Sequence, residues 1–419
     1  MIKSYKKNSS SFKIKFFENS KIIWYEVNSS EVSNNLFERL NLGKIPLTNA
    51  ELVKALFLSE DSFNDLAEEE RKIRQIEIAK LWDEIENKLN AEDEKFWAFI
   101  TNKPRNKYET KIELLLDIIT NKNEDKQDPY FTFTKFLEEQ QHSPLLTIWD
   151  KIEQFYSTIS DWYSDNELYH KIGYLVSARS VGSYKGVNLA ELVTKALNKD
   201  STKDSFKSYI DNLIQKSIDW NFKELRYDED PDKIFNILLL FNVETNYLSE
   251  YEPYPFKFHK SKNWSLEHIH AQKSENITKI EDRKDLLKMQ LTYIDDKTIK
   301  KDIEDLLELE KITEEQISDI ENRVSKLFTD KEIHTIDNLA LLSRDDNSSL
   351  NNSIFPAKRD KIKDLDKKGS FIPICTKNVF LKYYSKDVKE ALKWNIEDRK
   401  FYLDEIKETL KEYLGEING

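Results

Sequence analysis

Glycine and proline are scarce in this chain, 7 and 9 residues in 419. Tight reversals draw on both residues, so the chain has few places to turn sharply. That favours long helices over many short strands. The apolar residues agree. Ile78, Leu81, Trp82, Ile85 and Leu89 recur at helical spacing, as do Ile112, Leu115, Leu116 and Ile119, and then Phe206, Ile210, Leu213 and Ser217. "DPDKIFNILLLFNVE" opens a further helix with Pro231 in its first turn. Lys/Asp/Asn-rich stretches such as "NKNEDKQDP" separate these stripes.

Aromatics are 12% of residues, too many for a disordered chain and enough for a sizeable core. The net charge is −12, which argues against a large non-specific wrap of nucleic acid but leaves room for one positive face. Cys375 is the single cysteine, so neither a disulfide framework nor a cysteine-rich zinc site can form. Together with a charged N-terminus lacking an apolar signal core, this gives a cytoplasmic expectation. No apolar run reaches the roughly 18 residues of a membrane span.

Three stretches are expected. Residues 1–60 begin with a β-hairpin, "FKIKFF" and "KIIWYEV" around "FENS", followed by a helix starting at Asn49. Thr48 and Glu51 stand there at capping-box spacing. Residues 61–250 are helical. Residues 251–419 open with "EPYPFKFHKSKN", which its two prolines make non-helical, and carry a helical insert over 275–330 with Thr313 and Gln316 as a second capping box. "EDRKFYLDEIKETLKEYL" closes the chain as a helix.

The chemistry concentrates in "WSLEHIHAQ", 264–272. It spends two of the chain's six histidines beside a glutamate. Phosphodiester hydrolysis needs a base for water and a hard cation for the developing charge. Glu267, His268 and the Asn-rich stretch 338–352 can supply a carboxylate, a neutral imidazole and amide oxygens. In a regular strand Glu267 and His268 point to opposite faces, whereas His268 and His270 share one. The pair works only where the strand ends or twists, and on geometry alone either histidine could be the base. The plain alternative is a polar strand with solvated imidazoles, and "DDNSSLNNS" read by itself is a turn-rich loop with a helix cap.

"WSLEHIHAQ" followed by "DNLALLSRDDNSSLNNSIFPAKRDKI" resembles the HNH (ββα-metal) nuclease domain that ends the GmrSD family of modification-dependent restriction endonucleases and phage-defence proteins. The resemblance implies a mainly α fold with small β elements, a helical scaffold carrying a C-terminal ββα-metal domain. It also implies cleavage of DNA, base-modified DNA included, with Mg²⁺ or Mn²⁺. By position, Glu267 matches the acidic metal ligand and His268 the general base. Asn338 matches the asparagine that braces the histidine loop, and Asn347 the second metal ligand, with Asn351 and Asn352 competing for that place. Asn352, Lys358 and Arg359 match a trailing Asn and a basic pair at phosphate, and His270 is a strand neighbour or a phosphate contact. A lysine-rich surrounding would suit DNA entry: Lys361, Lys363, Lys367 and Lys368 follow the basic pair.

The likeness extends to "IIWYEVNSSEVSNNLFERLNLGKIPLTNAELVKALFL", similar to the close of the family's ParB/sulfiredoxin-like domain, to "IEIAKLWDEIENKLNAEDEKFWAFI", and to "GSFIPICTKNVFLKYYS". Two departures stand out. The D-G-Q-Q-R nucleotide-binding module that opens the family's N-terminal domain has no counterpart in this sequence, so either a fragment of a split gene or a partner polypeptide carrying the module is expected. Asp337 replaces the family's usual Gly, and about seventy positions separate His268 from Asn338, so the insert must loop out. Asp337 could be a third carboxylate near the metal. A competing expectation is a non-catalytic or partner-dependent DNA-binding subunit of a split restriction system.

Overall fold

The structure is a computed structural model. It describes residues 47–419 apart from 60–62, 64–65, 123–127, 219–220, 223, 250–251, 261–262, 271–278, 292–293, 328–333, 349–354, 386–393 and 414–419, and the side chains of Met289, Asn347 and Ser348. The expected N-terminal hairpin lies outside the described residues. Contacts divide the chain into two units, 1–48 and 49–419, and the described helices and strands all belong to the second.

That unit is mainly helical, as the turn-poor sequence leads one to expect. The helices are α1 (Asn49–Leu58), α2 (Glu68–Leu89), α3 (Lys95–Ile100), α4 (Ile112–Ile119), α5 (Phe131–Gln140), α6 (Leu145–Ser164), α7 (Asn166–Ser177), α8 (Leu189–Ala196), α9 (Lys203–Ser217), α10 (Pro231–Ser249) and α11 (Phe256–Lys260). Strand β1 (Trp264–His268) comes next, then three insert helices, α12 (Ile280–Gln290), α13 (Lys297–Leu307) and α14 (Glu314–Lys326). Strand β2 (Leu339–Ser343), α15 (Arg344–Ser348), α16 (Phe355–Lys367), α17 (Ile374–Phe380) and α18 (Ile396–Thr409) complete the order.

The anticipated stripes face inward. Ile78, Trp82, Ile85 and Leu89 of α2 are buried, with Trp82 stacked on Trp149 of α6. On α9 the buried set is Phe206, Ile210, Ile214 and Ser217, with Leu213 only half-covered. The helix at Pro231 is the central one. Every residue from Ile234 to Glu244 is buried, so the helix is covered on all sides, mostly by apolar contacts. It packs on α7, α17, α18 and both strands, so one hydrophobic core runs through both the 61–250 and the 251–419 stretches. Each fully buried Leu, Ile or Phe there contributes about 1.5 to 3 kcal/mol. Its two buried amides tie distant segments together. Asn236 bonds the N–H and C=O of Arg179 and the carbonyl of Ser217, and Asn242 accepts from the N–H of Cys375.

The stretch after the two prolines differs from expectation. Phe256–Lys260 is a short helix, because a proline just ahead of a helix loses no internal hydrogen bond. This helix seats the segment that leads into β1. Phe256 presses against α7 at Gly173, where any Cβ would lie 2.2 Å from its ring. Lys260, half-buried, bonds the carbonyls of Ala98 and Thr101 at the end of α3. Burial holds its ammonium pKa well below the usual lysine value. His259 stacks on Trp264, ring centroids 4.9 Å apart, at the entry to β1.

Strands β1 and β2 form an antiparallel pair in the register Trp264↔Ser343 to His268↔Leu339. Side chains cover its flanks. Thr376 donates to the carbonyl of Leu341, and Tyr402 to that of Leu339. The insert helices build a separate small core from Leu287, Ile294, Ile299, Ile303, Leu306, Ile317, Ile320 and Val324, closed by Ala357 of α16. The Thr313–Gln316 capping box is formed, as its spacing indicates.

Candidate active site at the end of strand β1

Strand β1 stops at His268, the place where the Glu267–His268 pair has to diverge from regular alternation. The turn beyond it is fixed by Asn338. Its amide accepts from the His270 N–H at 3.0 Å and donates to the His270 carbonyl at 2.8 Å. Its own carbonyl accepts from the Ile269 N–H at 2.8 Å. Asn338 is completely buried, so these bonds face no competition from water. A short 3₁₀ turn, Ile336–Asn338, delivers it at the head of β2. Residues 68 positions apart thus clasp the same turn.

Glu267 is buried at 7% exposure, and its carboxylate bonds the ammonium of Lys358, which is itself 1% exposed. Lys358 reaches down from the first turn of α16 and also donates to the His268 carbonyl at 2.7 Å. A phosphate contact for Lys358 does not fit this placement, because the side chain is turned inward to neutralise a carboxylate that burial would otherwise leave uncompensated. Arg359, next along α16, is half-buried, and the lysines beyond it lie toward the exposed end of that helix.

The two histidines of the motif part company. His270 is 0% exposed; its Nδ1 accepts from the Phe355 N–H at 3.0 Å, and its Nε2 lies 3.4 Å from the Ser325 hydroxyl on α14. A DNA contact by His270 is therefore corrected to an internal brace. The reason is that the strand ends before it, so its ring follows the turn into the core. Burial, then the charges of Lys358 and Arg399, lower its pKa to about 3, a neutral ring throughout the physiological range.

His268 keeps part of its ring open. Its Nε2 lies 3.4 Å from Nδ1 of His334, and the ring of Tyr227 stands 4.8 Å away, centroid to centroid. Burial first, then Lys358, His334 and Arg399, push its pKa down to about 3. The lone pair is thus available at neutral pH, at the expense of basicity. Nothing in the sequence around Tyr227 marks it; His334, like His259, is expected near the site from sequence, with a surface position explaining it equally well.

Asp337 is buried and engaged by Arg399 at 3.4 Å and by the Thr335 hydroxyl at 2.5 Å. The third-carboxylate reading does not fit, because a guanidinium already neutralises it. Asp346, on α15, accepts from the Ser343 hydroxyl at 2.5 Å and so closes the end of β2. The side chain of Asn347 and the whole of Asn352 lie outside the described residues. Among the described residues, no group of three His, Cys, Asp or Glu side chains converges as a metal cage. No helix among them is long and apolar enough to cross a membrane. His170 is structural: Nδ1 donates to the Asn166 carbonyl and Nε2 accepts from the Tyr254 N–H, while His142 is exposed.

In comparisons with family models, curated proteins and solved structures, none matches this chain.

Proposed function

We propose that this protein is a metal-dependent endonuclease that hydrolyses phosphodiester bonds in DNA, of the GmrSD-like phage-defence type, with base-modified foreign DNA as the intended substrate. The observation that carries the reading is the clasp of Asn338 on the turn after His268. It joins two sequence pieces, far apart in the chain, in the order strand, strand, helix, with the carboxylate and the half-open imidazole at the end of the first strand.

In this reading His268 is the general base. Its neutral ring accepts the proton of the attacking water, and the Asn338 bonds hold the backbone beneath it. The donor set fits a hard divalent cation such as Mg²⁺ or Mn²⁺. Glu267 would offer it a hard carboxylate oxygen, in exchange for the Lys358 ammonium that now pairs with that group. Glu267 and Asn347 would hold the ion, which when bound neutralises phosphate charge and stabilises the leaving oxygen. Arg359 and the following lysines of α16 supply the positive approach for the DNA backbone, and Asn352 is a further DNA contact in this reading.

One observation favours the second reading, a partner-dependent or non-cutting DNA-binding subunit. Lys358 already satisfies Glu267 from within the protein. The experiment that separates the two is nicking of plasmid and of base-modified phage DNA by purified protein with Mg²⁺ or Mn²⁺, wild type beside His268→Ala. Cleavage abolished by the substitution supports the nuclease. DNA binding without cleavage in every metal tested rejects it in favour of the subunit, and the missing activity is then sought in a partner polypeptide.

A further inference from the structure

His334 belongs to the same short stretch as Asn338, and the two residues hold the same turn from different sides. Asn338 grips the backbone after His268, and His334 meets the His268 ring. The two imidazoles stand nearly perpendicular, 77° between planes, with His268 Nε2 and His334 Nδ1 at 3.4 Å. A strand-like bridge from outside the motif ties His334 down. Arg226 pairs with Thr335, and the N–H of Tyr227 donates to the His334 carbonyl at 2.9 Å. The same bridge sets the Tyr227 ring against both imidazoles, 4.8 Å from His268 and 6.1 Å from His334, with 36% of the tyrosine exposed.

An imidazole has two nitrogens, and only one can serve as the base in a neutral ring. Which one serves is decided by the partner of the other. We propose that His334 is the positioning residue of this site. It accepts the Nε2–H of His268 on its own Nδ1, which leaves the His268 Nδ1 lone pair for the substrate water, and Tyr227 closes the pair from the solvent side. This rests on the nuclease reading for its catalytic consequence, but the ring lock itself does not depend on cleavage.

Two readouts test it on the full chain. Long-range ¹⁵N–¹H spectra of the histidine rings, assigned by single substitution, report the tautomer of His268 without reference to activity. The wild type is expected to show one tautomer with the proton on Nε2. His334→Ala should give a mixture, and His334→Asn, whose amide oxygen stands near the former Nδ1, should restore the single form. Single-turnover cleavage with Mg²⁺ should fall about 10- to 100-fold in His334→Ala with KM unchanged, recover in His334→Asn, and stay at the wild-type rate in the exposed control His142→Ala. An unchanged His268 tautomer in His334→Ala overturns the proposal, as does wild-type cleavage by that variant. A wild type that never cuts, with the tautomer behaving as expected, rejects the nuclease reading and leaves the ring lock standing.

Discussion

The chain holds two cores of very different standing. The main one wraps α10 and takes in residues from Ala50 to Tyr413. The insert core is a handful of isoleucines and leucines on three amphipathic helices, and it touches the rest through Ala357 and through Ser325 beneath His270. Each region also holds a buried ion pair, Lys358–Glu267 in the main body and Arg283–Glu321 in the insert. The contrast teaches that the same interaction has a different reach according to what surrounds it. In the main body it lies under the site and against a shared core. In the insert it ties α12 to α14 and little else.

Matched lesions put this to the largest test. Lys358→Ala leaves a buried carboxylate uncompensated and should cost about 3 to 5 kcal/mol, read as a lower urea midpoint for the whole unit. Arg283→Met removes the partner of Glu321, which is as buried as the arginine. It should strip hydrogen-exchange protection from 280–327 while α10 stays protected. Equal loss of protection in both regions would erase the distinction.

Glu244 sharpens the contrast from within the main core. Burial raises its pKa to about 7, although the Tyr413 hydroxyl donates to it at 2.7 Å. The folded value lies above the unfolded one, near 4.3, so the unfolded chain releases its proton first as pH rises. Stability is therefore undiminished below about pH 4 and falls through the window up to about pH 7. Glu244→Gln should match the wild type at pH 4 and exceed it at pH 8 by at most about 4 kcal/mol in urea unfolding. A gap that shrinks with rising pH would contradict the sign.

Asn338→Ala comes next. It orphans the buried N–H and C=O of His270, for a cost of about 1 to 3 kcal/mol, and should loosen the turn that carries His268. Measured stability equal to wild type would mean that the clasp carries no weight. The smallest effect is expected from Ser325→Ala. Its 3.4 Å contact with His270 is long, so the loss should stay under about 1 kcal/mol. A larger loss would show that the insert and the site are coupled more tightly than their separate cores imply.

What was legible in the sequence was local. The α2 stripe, Pro231 at the start of the central helix and the Thr313–Gln316 box each rest on spacings within one or two turns, and the structure forms them. What was not legible depended on partners far away. Lys358 sits in a basic run that reads as a phosphate-contacting patch, and its carboxylate lies 91 positions back. His270 shares a face with His268 only if the strand continues, and it ends two residues short. Tyr227 reaches His268 through a bridge between 226 and 335 that no periodicity announces.

The insert also sets an order of events. Pairing β1 with β2 closes a loop of about seventy residues. Compared with a tight hairpin, the chain entropy lost on closure is larger by roughly 2 to 3 kcal/mol. If α12 to α14 assemble first, they draw the two strand ends together and shorten the effective loop, so their small core acts as a kinetic splint for the sheet. Stopped-flow refolding reads this directly. Arg283→Met should refold more slowly with its unfolding rate little changed, and a variant whose unfolding alone is faster would place the splint after the sheet.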